Sequence, residues 1–95
     1  MLEFYADWCV SCKEMERFTF SDPTIRRVMA NMLVLQADVT ANSADDSALL
    51  QQFGLFGPPA IVFFDGQGKP LPQRVIGFMP PEQLLPVLKQ QGAAA

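Results

Sequence analysis

The stretch Phe4-Tyr5-Ala6-Asp7-Trp8-Cys9-Val10-Ser11-Cys12-Lys13 decides how the rest of this 95-residue chain is read. It begins in an apolar, aromatic run and ends on two cysteines with two residues between them. Met1 to Ala6, interrupted only by Glu3, has the composition of a buried strand. The stretch after the cysteines reads as a helix with Val10, Met15 and Phe18 as its apolar members. A strand end feeding a helix puts Cys9 at or near the N-cap and Cys12 close to one turn further on. Unpaired N–H groups and the positive end of the helix dipole stabilise a thiolate there. The spacing lets the two sulfurs meet without backbone rearrangement, so the pair can cycle between dithiol and disulfide. Spacing alone also fits buried structural cysteines, half of a zinc site completed by another chain, or a soft-metal hook. The strand-to-helix context favours dithiol–disulfide exchange.

Outward from this segment, Ser21 or Asp22 can cap a new helix with Pro23 at its first position. Ile25, Val28, Met29 and Met32 then follow the spacing of one helical face. Leu33 to Ala37 is a short apolar run that predicts a second buried strand. Ser43 is the expected N-cap of a helix through Leu49, Leu50 and Phe53, ended by Gly54. Ala60 to Phe64 reads as a third strand, Asp65-Gly66-Gln67-Gly68 as a turn, and Gln73 to Gly77 as a fourth strand completing a hairpin. A last helix opens at Pro80-Pro81-Glu82 with Leu84, Leu85 and Leu88 facing inward, and Pro86 should kink or shorten it. Residues 90–95 read as a frayed tail. The order β-α-β-α-β-β-α predicts a small α/β domain with a mixed four-stranded sheet.

Composition narrows the chemistry. The chain has no histidine, which excludes His-containing zinc sites, Ser-His and Cys-His pairs, and histidine general bases. With only two cysteines, a closed four-cysteine metal site and a multi-disulfide scaffold are excluded too. Hydrophobic residues at 49% and charged residues at 18% belong to a globular interior, and the length allows a single core. A net charge of −3 with scattered basic residues argues against nucleic acid or anionic lipid as the main partner. The most apolar window, Phe53 to Phe64, is too short and too broken by Gly54, Gly57, Pro58 and Pro59 to cross a bilayer. No targeting segment precedes the first strand-like run.

The segment Phe4 to Lys13 resembles the active-site segment of the thioredoxin superfamily. Val10-Ser11 between the cysteines narrows the match, as do Phe20-Ser21-Asp22-Pro23, Leu35 to Asn42 and Phe63 to Gly68. Together they resemble the C-terminal periplasmic domain of the DsbD family of bacterial thiol:disulfide interchange proteins, over nearly the whole chain. The resemblance implies a thioredoxin-like fold in which the strand and helix that open the full domain would lie before Met1. It implies residues 1–95 as one module of a longer inner-membrane protein, on the periplasmic side. Cys9 becomes the exposed nucleophile and Cys12 the buried resolving partner. Pro59 matches a cis-proline facing the pair, although only about one X–Pro bond in twenty is cis in general. Trp8, Phe56, Pro58, Pro59, Gly77 and Phe78 become the substrate-docking surface. Pro58 stands where the family offers a backbone N–H to a substrate strand, and it has none to give.

The same resemblance puts acids at Glu3 and Glu16 that act on the active-site thiol. A carboxylate amid Leu2, Phe4 and Tyr5 is costly unless used, and Glu16, four residues after Cys12, shares its helical face. Negative charge and burial disfavour a thiolate, so Cys9 is expected to be less acidic than a thioredoxin nucleophile of pKa about 7. Lys13 reads as a solvated charge. The implied activity is protein-disulfide reduction, relaying two electrons from a membrane-embedded domain to an N-terminal periplasmic domain through transient mixed disulfides. That activity feeds disulfide isomerase and cytochrome c maturation. The isolated domain is expected to be monomeric, with no cofactor beyond the Cys9–Cys12 disulfide and no metal. A free-standing periplasmic thioredoxin-like reductase is the alternative within this class. A metal-binding or delivery module using the two thiolates is the alternative outside it.

Overall fold

Leu2–Tyr5 forms β1, and this strand lies inside the sheet, with a neighbour on each side. The computed structural model describes residues 1–94. β2 (Leu35–Asp38), β3 (Ala60–Phe64) and β4 (Pro70–Ile76) complete a four-stranded sheet of order β2-β1-β3-β4. β1 runs parallel to β2, with Leu2 beside Leu35 and Tyr5 beside Asp38. It runs antiparallel to β3, which pairs antiparallel with β4. The sheet is therefore mixed, as the order of elements predicts.

β3 shows why the sheet has helices on both faces. Its residues alternate between two buried clusters: Ala60 and Val62 join one, Ile61 and Phe63 the other. Alternate side chains point to opposite faces, so a strand buried on both reads as a continuous apolar run. The first cluster holds Phe4, Val39, Leu50, Phe53, Leu55 and both cysteines. The second holds Met15, Ile25, Val75, Leu84 and Leu88. Each buried aliphatic side chain contributes roughly 1.5–3 kcal/mol relative to exposure.

The helices follow their local signals. α1 (Val10–Glu14) continues into a π-helical stretch, Met15–Thr19, in which the Phe20 N–H reaches the Met15 carbonyl at 2.7 Å. This i to i+5 bond shifts the residues after Met15 off the α-helical face: Met15 and Thr19 are buried and Phe18 lies exposed, while Val10, at the first position of α1, is exposed as well. α2 (Pro23–Met29) is capped by Asp22, whose carboxylate accepts the Thr24 and Ile25 N–H groups. α3 (Ala44–Gln52) starts with the reciprocal Ser43–Asp46 capping box, and Gly54 follows at φ +69°.

Three expectations need correction. β2 begins at Leu35 rather than Leu33 and is mostly exposed, because it forms an edge of the sheet. β4 begins at Pro70, where an edge strand accepts prolines. α4 (Pro81–Ala94) runs on past Pro86 rather than being shortened by it, with the fully buried Leu84 and Leu88 on either side. It also continues past Gln90, where composition suggests fraying, and Ala95 lies outside the described residues.

Candidate active site

At the end of β1 the backbone turns through Ala6-Asp7-Trp8, and Cys9 becomes the N-cap of α1 in an extended conformation. Cys9 and Cys12 form a disulfide across a Cα–Cα distance of 5.2 Å. The Cys12 N–H donates to the Cys9 sulfur at 3.1 Å, so one orphan donor of the helix start already points at that atom. Cys9 is 7% exposed and Cys12 2%, so Cys9 is the more accessible sulfur but is not a freely exposed one. Tyr5, Ala6, Phe53, Leu55 and Ala60 share their buried cluster.

The loops expected to flank the cysteines converge. The Pro58–Pro59 peptide bond is cis, matching the position the resemblance implies. The Gly77 N–H donates to the Pro59 carbonyl at 3.0 Å, joining the two docking loops directly. Gly77 sits at φ +79°, a backbone region that favours glycine. Around this centre Trp8, Phe56 and Phe78 are exposed apolar side chains. Val10 and Ile76, which the sequence reading does not assign to the docking surface, are exposed as well. A hollow of about 620 Å³ lies elsewhere, lined by residues such as Met32, Leu33, Leu35 and Phe63, and contains neither cysteine.

Glu3 is half-buried on the interior strand β1, beside Ile61 of β3 and Gln36 of β2. Burial pushes its carboxyl above the usual range; the Gln36 amide, donating at 3.3 Å, opposes that push, and the charge of Glu16 adds to it. Glu16 itself is exposed on the π-helical stretch.

Lys13 is not the merely solvated charge expected. Its ammonium donates to the Tyr5 hydroxyl, lies 5.0 Å from the centre of that ring, and sits 3.9 Å from Asp7. The Tyr5 hydroxyl donates in turn to Asp7 at 2.8 Å. Two further residues, Thr19 and Thr40, escaped sequence reasoning. Thr19, fully buried, donates to the Met79 carbonyl at 2.7 Å, and the Met79 N–H meets the Met15 sulfur at 3.3 Å. These contacts tie the Gly77–Met79 loop to the helix that follows Cys12. Thr40, from the loop after β2, bonds both Asp7 and Trp8. Only the Asp38-x-Thr40 spacing, which suits an Asx-turn, hinted at a special loop there. Among the described residues, no group of three or more His, Cys, Asp or Glu is arranged to hold a metal.

A Cys-x-x-Cys disulfide at a helix start, in one chain with a cis-proline just before a strand of a mixed sheet, defines a thioredoxin-like domain. The sequence pattern of the family described as Thioredoxin-like domain matches residues 1–92. The oxidised C-terminal domain of DsbD from Neisseria meningitidis superposes with a TM-score of 0.84 and 37% identity, covering 95% of this chain and 77% of that one. The chain belongs to the thioredoxin-like family and, within it, to the DsbD C-terminal domains. The thiol:disulfide interchange protein DsbD of Ralstonia nicotianae is 60% identical over 90 residues, covering 95% of this chain and 15% of that protein. The DsbD of Escherichia coli K12 is 57% identical over 83 residues, covering 86% of this chain and 15% of that protein. The chain therefore spans about 15% of the length of these relatives. Its Cys9–Cys12 disulfide supplies the Cys-x-x-Cys group that thiol–disulfide exchange requires. No helix among the described residues is long and apolar enough to cross a membrane.

Proposed function

We propose that this domain relays two electrons from a membrane-embedded donor domain to an N-terminal periplasmic acceptor domain, with Cys9 as nucleophile. The observation that carries the reading is the Cys12 N–H directed at the Cys9 sulfur at the start of α1. In the reduced domain that donor and the helix dipole stabilise a Cys9 thiolate. The thiolate attacks one sulfur of the partner's disulfide, forming a mixed disulfide and expelling the other partner sulfur as a thiolate. Cys12, deprotonated, then attacks the Cys9 sulfur, re-forms the Cys9–Cys12 disulfide and releases the second partner thiolate. Two electrons have moved to the partner, and both of its thiolates take up protons. The membrane donor reverses these steps to reduce the domain again.

Substrate docking falls to Trp8, Phe56, Pro58, Pro59, Gly77 and Phe78. Pro58 lacks an N–H, and the Gly77 N–H is engaged by Pro59, so an incoming strand finds few backbone donors here. Apolar contact with Trp8, Phe56 and Phe78 therefore carries more of the recognition. Glu3 and Glu16 oppose ionisation of Cys9 and keep the resting thiol slow until a partner shields or displaces their charge. A Cys12→Ser chain exposed to a periplasmic extract tests the assignment. A dithiothreitol-reversible adduct lost in Cys9→Ser is the expected result. No adduct, or one that survives Cys9→Ser, would falsify Cys9 as the nucleophile.

A further inference from the structure

Thr40 lies 33 residues from Asp7 in sequence, yet its polar groups are spent on the loop that carries Cys9. Its N–H donates to Asp38 Oδ1 at 2.9 Å, and its hydroxyl donates to the same oxygen. Its Oγ1 accepts the Asp7 N–H at 2.9 Å, and its carbonyl accepts the Trp8 indole N–H at 2.9 Å. A hydroxyl has one proton and an ionised carboxylate only accepts, so the polarity of this chain of bonds is fixed. The proton goes to Asp38, and a lone pair is left for Asp7. Those bonds hold the Asp38 carboxyl below its usual range, which keeps it an acceptor at neutral pH.

The consequence falls on Trp8. At 57% exposure its ring has little packing to choose one orientation for it. A free side chain of this kind would sample several rotamers, and ordering it on partner contact would cost affinity. The bond to the Thr40 carbonyl supplies that order in advance, and the Asp38 clamp aims the carbonyl. From the other side Asp7 is held by the Tyr5 hydroxyl, and β1 is tied to the same loop through the Val39 N–H to the Tyr5 carbonyl at 2.8 Å.

We propose that Thr40 is a positioning residue for thiol–disulfide exchange, aiming Trp8 as a fixed wall beside Cys9 against which an extended protein segment docks. It rests on Cys9 being the attacking sulfur. The partner chemistry is an apolar, extended segment carrying a disulfide; a small disulfide reagent does not need the wall.

The test compares two probes on the Cys12→Ser chain. One is 5,5′-dithiobis(2-nitrobenzoate). The other is an extended, apolar cysteine peptide activated as its mixed disulfide with thionitrobenzoate. In both reactions the Cys9 thiolate forms a mixed disulfide and expels thionitrobenzoate, which is followed by its absorbance. Thr40→Val is expected to lower the ratio of peptide rate to small-reagent rate about fivefold, the factor that one net hydrogen bond supplies. Thr40→Ser restores the ratio. Because Trp8 is the only tryptophan, its emission shifts to the red and its anisotropy falls in Thr40→Val but not in Thr40→Ser. An unchanged ratio, or no rescue by serine, overturns the proposal. Should Thr40→Val fail to fold, Trp8→Phe, which removes the indole donor and shrinks the ring, must lower the ratio at least as much; an unchanged ratio there overturns it equally. A Cys12→Ser parent that reacts with neither probe removes the nucleophile assignment, an outcome distinct from a failed ratio.

Discussion

The two faces of the sheet are built from the same strands but are unlike in content. One face packs mostly aliphatic side chains, Ile25, Ile61, Val75, Leu84 and Leu88, with Met15 and one buried aromatic ring, Phe63, beneath α2 and α4. The other combines the disulfide with aromatic rings: Phe53 meets Phe4 and Phe64 edge-on, at 6.1 and 5.9 Å between centres. The first is a core in the ordinary sense. The second is a core with a reactive bond in its wall, so packing there and reactivity are coupled. Residues one apart on β3 serve different tasks for this reason.

The sharpest way to break this contrast is a matched pair of truncations. Leu84→Ala and Phe53→Ala should each lower unfolding free energy by about 3 kcal/mol, read from urea titration. Only Phe53→Ala should also change the alkylation rate of reduced Cys9, measured under folding conditions. Equal reactivity in the two variants would erase the distinction between the faces.

A smaller effect is expected at Glu3, whose carboxyl is raised from 4.5, chiefly by burial. A raised acid favours the protonated fold, so stability is fully present below 4.5 and declines as pH rises through the folded value. Glu3→Gln removes that decline. Variant and parent should match in acid, and the variant should be the more stable at neutral pH, by thermal melts across the range. On the proposed role for Glu3, the pKa of Cys9 also falls in Glu3→Gln; an unmoved alkylation profile would assign Glu3 to stability alone. The smallest effect belongs to the exposed Val10 beside the nucleophile. Val10→Ser should leave stability within about 0.5 kcal/mol, a value that calorimetry can check.

Much of the site was legible because its grammar is local. The Cys9 N-cap, the Asp22 cap with Pro23, the Ser43–Asp46 box and the Asp65–Gly68 turn each depend on residues a few positions apart. The second strand was misread because Leu33-Val34-Leu35 is equally apolar at an edge or in the centre of a sheet. Strand order decides that, and it is not a local property. Phe18 lies exposed where the π-helical stretch after Glu14 breaks the 3.6-residue period of the helix.

By itself, then, the sequence determined that two cysteines and no histidine sit at a strand-to-helix junction in a mixed α/β domain. That is enough to favour dithiol chemistry, because thiolate stabilisation there follows from backbone geometry. Tertiary structure decided what surrounds the sulfurs. Pro59 is joined to Gly77, Met79 is tied to Thr19 and Met15, and Trp8 and Asp7 are held by Thr40 across more than thirty residues. Such bonds form only after strand pairing has brought distant loops to one end of the sheet, and no periodicity along the chain encodes them.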